Sequence, residues 1–288
     1  SSAASDVYKR QESGCNSANT IVWVKVPSIP ASSSVKIFMY YGNSEATSES
    51  NGTAVFIQFH DFEDGTNENL NIVEGTFTAT TDAAYTGNYG LDQTNAAGNQ
   101  RGYWSETFSR SQFIVEAYMN HANSADGSVF IWLRDSSTGA GWIVGWGAYT
   151  YDRFHIAARD SDGSVVGTDY TKAHDFNDAT WYKTVIYYKG SGTIRIEADG
   201  DYAETTRDES YNPDQIGVWC GYEKYWDTIF VREYADPEPT YTIGEEQSIT
   251  TGISIETTWE NPESPTTYEP DKTYTFYARV CHDNGVSN

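Results

Sequence analysis

Chemistry in this sequence has two sources: aromatic rings spaced beside guanidinium groups, and carboxylates set in turns. In SVFIWLRD (128–135), alternation puts Phe130, Trp132 and Arg134 on one face of a strand and Val129, Ile131 and Leu133 on the other. In RFHIAARD (153–160), Arg153, His155 and Arg159 oppose Phe154 and Ile156. In QIGVWCGY (215–222), Trp219 opposes Ile216, Val218 and Cys220, which makes Cys220 a small core residue. Flat rings suit a pyranose, and polar groups beside them fix its hydroxyls. Trp132, Arg134, Arg153, His155 and Trp219, with Glu116 and Tyr118, are therefore expected to line one concave ligand face. Trp142 and Trp146, with Tyr149 and Tyr151, form a second candidate patch. The plainer reading of both sets is core or edge packing, the usual fate of large aromatics in β-sandwiches.

The carboxylates are Asp61, Glu63 and Asp64 in DFEDGTNEN, and Asp227, which interrupts YWDTIFV just before its apolar run. GNYG at 87–90 reads as a tight turn. Read simply, Asp61 and Asp64 cap a turn and Asp227 accepts backbone hydrogen bonds. Asp160 and Asp162 in DSDG have calcium-like spacing but read as a hairpin turn. No GxSxG, HExxH or phosphate-binding glycine pattern occurs. Glu197 and Asp199 alternate by two yet run into a turn signal. The five histidines are scattered, and the three cysteines (Cys15, Cys220, Cys281) give neither a disulfide framework nor a zinc pattern. Asn51-Gly52-Thr53 matches the short glycosylation pattern.

These side chains need strands to hold them. Strand-like runs recur at 113–120, 128–135, 141–147, 153–160, 181–190, 193–200, 215–222 and 227–234, separated by ADG, SDG, GSG and ADG turns. No stretch keeps a 3.6-residue period. With 22 Tyr, 9 Trp and only 2 Met, composition points the same way: all-β. The formal charge of −23 excludes nucleic acid as a partner, because phosphate binding needs a basic stripe. It suits a secreted or cell-surface protein, or divalent cations as partners. No run reaches the roughly 20 apolar residues of a membrane span, and no signal-like segment opens the sequence.

Residues 58–247 resemble a concanavalin A-like, laminin-G-type jelly roll through FHDFEDG, AAYTGNYGL, ATWYKTVIYYKGSGTIRIEADG and YWDTIFVREYADPEPTYTIGEE. The resemblance implies a two-sheet antiparallel sandwich with its DFED and WDTIFV segments as neighbours. It also implies a non-catalytic, extracellular module for a glycan or other surface ligand, within a longer multidomain chain. A structural Ca²⁺ would be held by Glu63, Asp61, carbonyls near Gly87 or Asn88, and Asp227. Laminarinase-like enzymes of this fold class carry an ExDxxE strand; none occurs here. A spacer without its own ligand, or a divergent hydrolase or lyase, are the competing expectations.

WVKVPSIPA and KIFMYYGNSEATSESNGTAVF resemble the end of an uncharacterised domain of archaeal and bacterial surface proteins, one that also occurs in proton-channel-type transport proteins. This predicts a truncated β domain at 12–57, a hairpin of 21–26 with 35–41 left with an exposed edge. SSAASDVYKRQ (1–11) resembles a translated adapter tail of metagenomic reading frames and is expected to lie outside the fold. Residues 248–288 read as a linker followed by a segment resembling the opening of an immunoglobulin-like repeat.

Overall fold

Alternating apolar and polar side chains become pleated strand through most of the chain. The computed structural model describes residues 9–13, 20–30, 33–38, 50–94, 98–122, 127–148, 151–245 and 274–280. They belong to two compact units, one of Gln58–Tyr234 and one formed by the segments on either side of it.

The flanking unit holds β1 (Lys9–Ser13), β2 (Thr20–Val26), the four-residue helix α1 (Gly52–Val55), and, after the larger unit, β18 (Tyr274–Val280). Its sheet has the order β1-β2-β18, all antiparallel. Val24, Val26 and Ile29 form its small core, and Trp23 meets Phe56 edge-on at 5.3 Å. Three expectations change here. Lys9, Arg10 and Gln11, set aside as an adapter-like tail, pair with Val24, Trp23 and Val22. The expected hairpin partner at 35–41 is irregular over 35–38, and 39–41 lie outside the described residues. Neither edge of β2 is open, because β18, from the stretch read as immunoglobulin-like, occupies the second. The alternation of TYTFYARV serves any antiparallel partner, so sequence pattern alone does not choose one. Asn51 caps α1, its Oδ1 accepting from Ala54 N–H at 3.0 Å.

The larger unit is a two-sheet antiparallel jelly-roll sandwich. Its strands are β3 (Gln58–His60), β4 (Asn71–Glu74), β5 (Phe77–Thr80), β6 (Gly90–Gln93), β7 (Asn99–Tyr103), β8 (Phe113–Asn120), β9 (Ser128–Arg134) and β10 (Gly141–Gly147), then β11 (Arg153–Arg159), β12 (Val165–Ala173), β13 (Trp181–Tyr188), β14 (Thr193–Ala198), β15 (Asp201–Thr206), β16 (Gln215–Gly221) and β17 (Lys224–Glu233). One sheet runs β12-β11-β10-β9-β16-β7-β4. The other runs β15-β14-β13-β8-β17-β6-β5, with β3 also on β17. The DFED and WDTIFV segments are neighbours, as the jelly-roll reading requires: His60, Phe59 and Gln58 stand opposite Ile229, Phe230 and Val231.

The inward faces interlock through two tryptophans. Trp146 on β10 donates from Nε1 to Thr184 Oγ1 on the opposite sheet at 3.0 Å, and Trp226 on β17 donates to the Phe130 carbonyl at 3.1 Å. Both rings are fully buried, so each indole N–H would be an uncompensated donor without its cross-layer acceptor. Cys220 is buried here too, and burial pushes its thiol pKa up. Cys15 and Cys281 lie outside the described residues.

Candidate functional site

Asp227 stands at a β-bulge. β17 is in register with β8 at Asp227–Tyr118 and again at Phe230–Glu116, so β17 carries one extra residue between those pairs. Thr228, in the bulge, has φ +46°, a left-handed conformation that a β-branched residue rarely adopts. The bulge turns Asp227 outward from the sheet, toward the loop that precedes β6. Its Oδ2 accepts from Tyr85 N–H at 2.8 Å and Thr86 N–H at 2.6 Å, and Thr228 Oγ1 donates to Oδ1 at 3.1 Å. Burial raises the Asp227 pKa to about 6, against the lowering effect of these donors.

Glu63 holds the other half of the same loop. Its carboxylate accepts from Asn88 N–H at 2.9 Å, Tyr89 N–H at 3.0 Å and Asn88 Nδ2 at 3.2 Å. Gly87 lies between the two anchors with φ +67°, and a Cβ there would sit 2.3 Å from Glu63 Oε1. The early acid, the turn and the late acid do meet, but the chemistry differs from the calcium expectation. Calcium takes oxygen ligands, whereas these carboxylate oxygens face backbone N–H groups, whose positive ends repel a cation. Asp61 and Asp64 accept from Glu63 N–H and Thr66 N–H, which makes them turn caps. No group of three or more His, Cys, Asp or Glu able to hold a metal occurs among the described residues.

The arginine–aromatic set is assembled on the outer face of the seven-stranded sheet. Trp219 pairs with Arg101 and Phe130, Phe130 with Gly145, and Gly145 with His155, giving one cross-strand row. Tyr103, Gly217, Trp132, Ile143 and Ala157 form the next row. Gln215, Arg134, Gly141 and Arg159 form the third. Arg153 lies on the same face at the far end of β11.

The rings are not open to a sugar. Trp132 and Trp219 are each 1% exposed, packed edge-on against one another at 5.3 Å. Arg101 covers Trp219 at 4.7 Å, and Arg134 lies over Tyr103 at 4.0 Å. The DSDG segment is a hairpin turn: Gly163 N–H donates to the Asp160 carbonyl at 2.9 Å. It reaches over this face, where Arg101 donates to the Asp162 carbonyl at 2.9 Å. Gly163, with φ +92°, has no room for a side chain, since a Cβ would lie 1.9 Å from Arg101 Nη1. Stacking on Trp132 and Trp219 is thus replaced by a polar roof on a buried aromatic floor.

Two further corrections concern placement. Trp142 and Trp146 are fully buried and face the opposite sheet, because their strand positions share parity with Val144 in the core. Of their expected neighbours, Tyr149 lies outside the described residues and Tyr151 is exposed beneath Arg153, 4.7 Å from its ring centroid. Glu116 and Tyr118 belong to β8, hence to the eight-stranded sheet and a different face. Glu116 is buried there and bound by Arg232 at 2.6 Å and Lys183 at 2.8 Å.

The electrostatics of the roof are uneven. Asp169 accepts from Arg159 at 3.0 and 3.1 Å and meets His155 Nε2 at 2.9 Å. Burial would raise the Asp169 pKa, but the bonds from Arg159 and His155 lower it overall. Burial lowers that of His155. Arg101 meets Glu74 only at 3.9 Å. Arg134 donates from Nη1 to Gln215 Oε1, and neither Arg134 nor Arg153 has a carboxylate partner among the described residues. Arg101 Nε, Arg134 Nε, Arg153 Nε and Trp132 Nε1 are all buried donors with no acceptor among the described residues. Sequence reasoning missed Arg101, Tyr103, Asp169 and Gln215. NQRGY has no apolar alternation, and Asp169 sits in the largely polar β12; only the neighbouring strands reveal their face.

A family profile described as a domain of unknown function (DUF2341) matches residues 7–74. That span includes residues 7–11 and the first two strands of the sandwich. No curated protein matches the sequence. Among solved structures, the chain is similar to the carbohydrate-binding module CBM66 from Bacillus subtilis, at 13% identity and TM-score 0.46, over 59% of this chain and 98% of that one. It is similar to the cellulose-induced protein Cip1, at 16% identity and TM-score 0.46, over 62% and 97%. A Bacillus licheniformis β-glucanase gives 9% identity and TM-score 0.44, over 62% and 98%. No helix among the described residues is long and apolar enough to cross a membrane.

Proposed function

We propose that the sandwich is a non-catalytic glycan-binding module of an extracellular or cell-surface protein with further domains, and that it takes an acidic polysaccharide along its seven-stranded sheet. The supporting observation is the pair Arg134 and Arg153. In a chain with 41 acidic and 18 basic side chains, both lie on the same face and lack a carboxylate partner among the described residues. Arg153 lies six positions from Arg159 on β11, about 20 Å along the strand. Arg134 is in register with Arg159 through Gly141. Cations spread over that length suit an extended polyanion better than a small ion.

Among the described residues, this face carries no two facing free carboxylates of the kind glycoside hydrolysis uses. Of the two acidic candidates Glu197 and Asp199, Glu197 accepts from Arg195 at 2.7 Å and Tyr187 at 3.2 Å on the other sheet, and Asp199 meets His174 at 3.1 Å. A spacer without a ligand is the second reading, favoured by the burial of Trp132 and Trp219.

Calorimetry and affinity electrophoresis with soluble polyuronates test the proposal. Binding is expected to weaken with salt, and Arg134→Ala and Arg153→Ala are each expected to weaken it tenfold or more. No unsaturated or reducing ends should accumulate. Failure of every polyuronate to bind would leave the spacer reading.

A further inference from the structure

The outer face of the eight-stranded sheet carries a second aromatic assembly, of opposite electrostatic character. Asp92 on β6, Tyr225 on β17, Asn120 on β8 and Trp181 on β13 stand directly opposite one another, forming a single row across four strands. Trp181 and Tyr225 lean together over Asn120, with ring centroids 6.3 Å apart and planes 29° from parallel. The next row brings Tyr118, and Tyr85 lies on it with centroids 4.0 Å apart. Tyr85 is also 5.5 Å from Trp181, so the rings are continuous.

This array reaches solvent. Tyr85 is 48% exposed, and Tyr118, Trp181 and Tyr225 are half-buried. A contiguous exposed set of rings is uncommon on a charged surface and marks a recognition site. Beneath the rings, Asp92 Oδ1 and Asn120 Oδ1 are buried oxygens with no donor among the described residues. Glu223 and Asp82 add negative charge beside Asp92. Lys183, in register with Tyr118, is committed to Glu116 at 2.8 Å.

We propose that Tyr85, Trp181 and Tyr225 form a second sugar-binding surface, specific for an uncharged polysaccharide. The ring faces match the C–H faces of pyranoses. The carboxylates of Asp92, Glu223 and Asp82 beside them repel uronates and sulfates. The surface lies on the opposite sheet from the arginine face and does not depend on it: one takes neutral chains and the other acidic ones.

The test is affinity electrophoresis and calorimetry of the full chain against soluble neutral polysaccharides (a β-glucan, a xylan, a galactomannan), with a polyuronate in parallel. At least one neutral chain is expected to bind with a shift in tryptophan fluorescence. Tyr85→Ala and Trp181→Ala are expected to weaken that binding at least tenfold. Tyr85→Ser, at an exposed loop position, covers the case in which Trp181→Ala does not fold. The proposal is overturned if no neutral polysaccharide binds, or if Tyr85 variants bind like the parent. Sedimentation showing self-association lost in Tyr85→Ala would overturn it in favour of a second copy as the occupant. Polyuronate binding that survives Tyr85→Ala leaves the arginine-face reading intact whichever way this one falls.

Discussion

Tyr85 lies face to face with Tyr118 because Asp227, opposite Tyr118 in the sheet, holds the Tyr85 backbone N–H at 2.8 Å. One buried carboxylate thereby sets both the path of the loop and the position of its exposed ring. The bulge at Thr228 is what aims that carboxylate.

Asp227→Ala should destabilise the sandwich by about 2–4 kcal/mol, since it strands two N–H groups that now share one acceptor. Urea unfolding measures this. Loss of neutral-glycan affinity in excess of the stability loss, read under folding conditions, would show that the anchor also positions Tyr85.

Calcium and EDTA should leave the melting temperature unchanged within error. The carboxylates of Glu63 and Asp227 are already satisfied by N–H donors, so a cation would have to displace them. A calcium-dependent rise of several degrees would reinstate the metal reading.

Gly87→Ala should cost more than the usual 1 kcal/mol of a left-handed glycine, because its Cβ also collides with Glu63. Thermal denaturation of Gly87→Ala beside Gly200→Ala, where a Cβ meets nothing within 4 Å and φ is +73°, separates the backbone cost from the collision.

Burial raises the pKa of Asp92 from its ordinary value of 3.8 to about 6. A carboxyl that binds its proton more tightly when folded stabilises the fold fully below about pH 4, and that contribution disappears as pH rises through 6. Asp92→Asn should therefore flatten the fall in stability between pH 4 and 6, by up to about 3 kcal/mol over the window. Unfolding free energies of parent and variant at pH 4, 5, 6 and 7 supply the comparison.

Trp132→Ala should lower stability by about 3–5 kcal/mol, the range for emptying a buried aromatic site. It is therefore a poor probe of binding. Arg134→Ala, which removes a partly exposed head group, should separate affinity from folding.

The sequence was most legible where alternation is strict. The runs that became β8, β10, β13 and β14 and the outward placement of Trp132 and Arg134 followed from period two. The pairing of β3 with β17 is what the jelly-roll resemblance implies, and alternation alone does not give it. Alternation assigns a residue to a side of its own strand, but does not say what covers that side. It therefore gives the face of Trp132 but not the Arg134 head group that lies over its ring at 5.4 Å. It also leaves open which sheet a strand joins, so it does not reveal that Glu116 and Tyr118 stand on the other sheet from Trp132. Asp227 gave a true signal of proximity to Glu63 and Gly87. Its ligands were backbone N–H groups, which residue identity does not reveal. Tyr85 carried no pattern of its own, since a loop residue is located by its anchors.

The larger unit is an insertion. The chain leaves the flanking unit at Ile57 and re-enters it at Ala235, while β1 and β18 both pair with β2. Entry and exit are close together, because Gln58 is in register with Val231. A pull applied through the two chain segments that hold β1 and β18 therefore loads the three-stranded sheet, because β2 pairs with both.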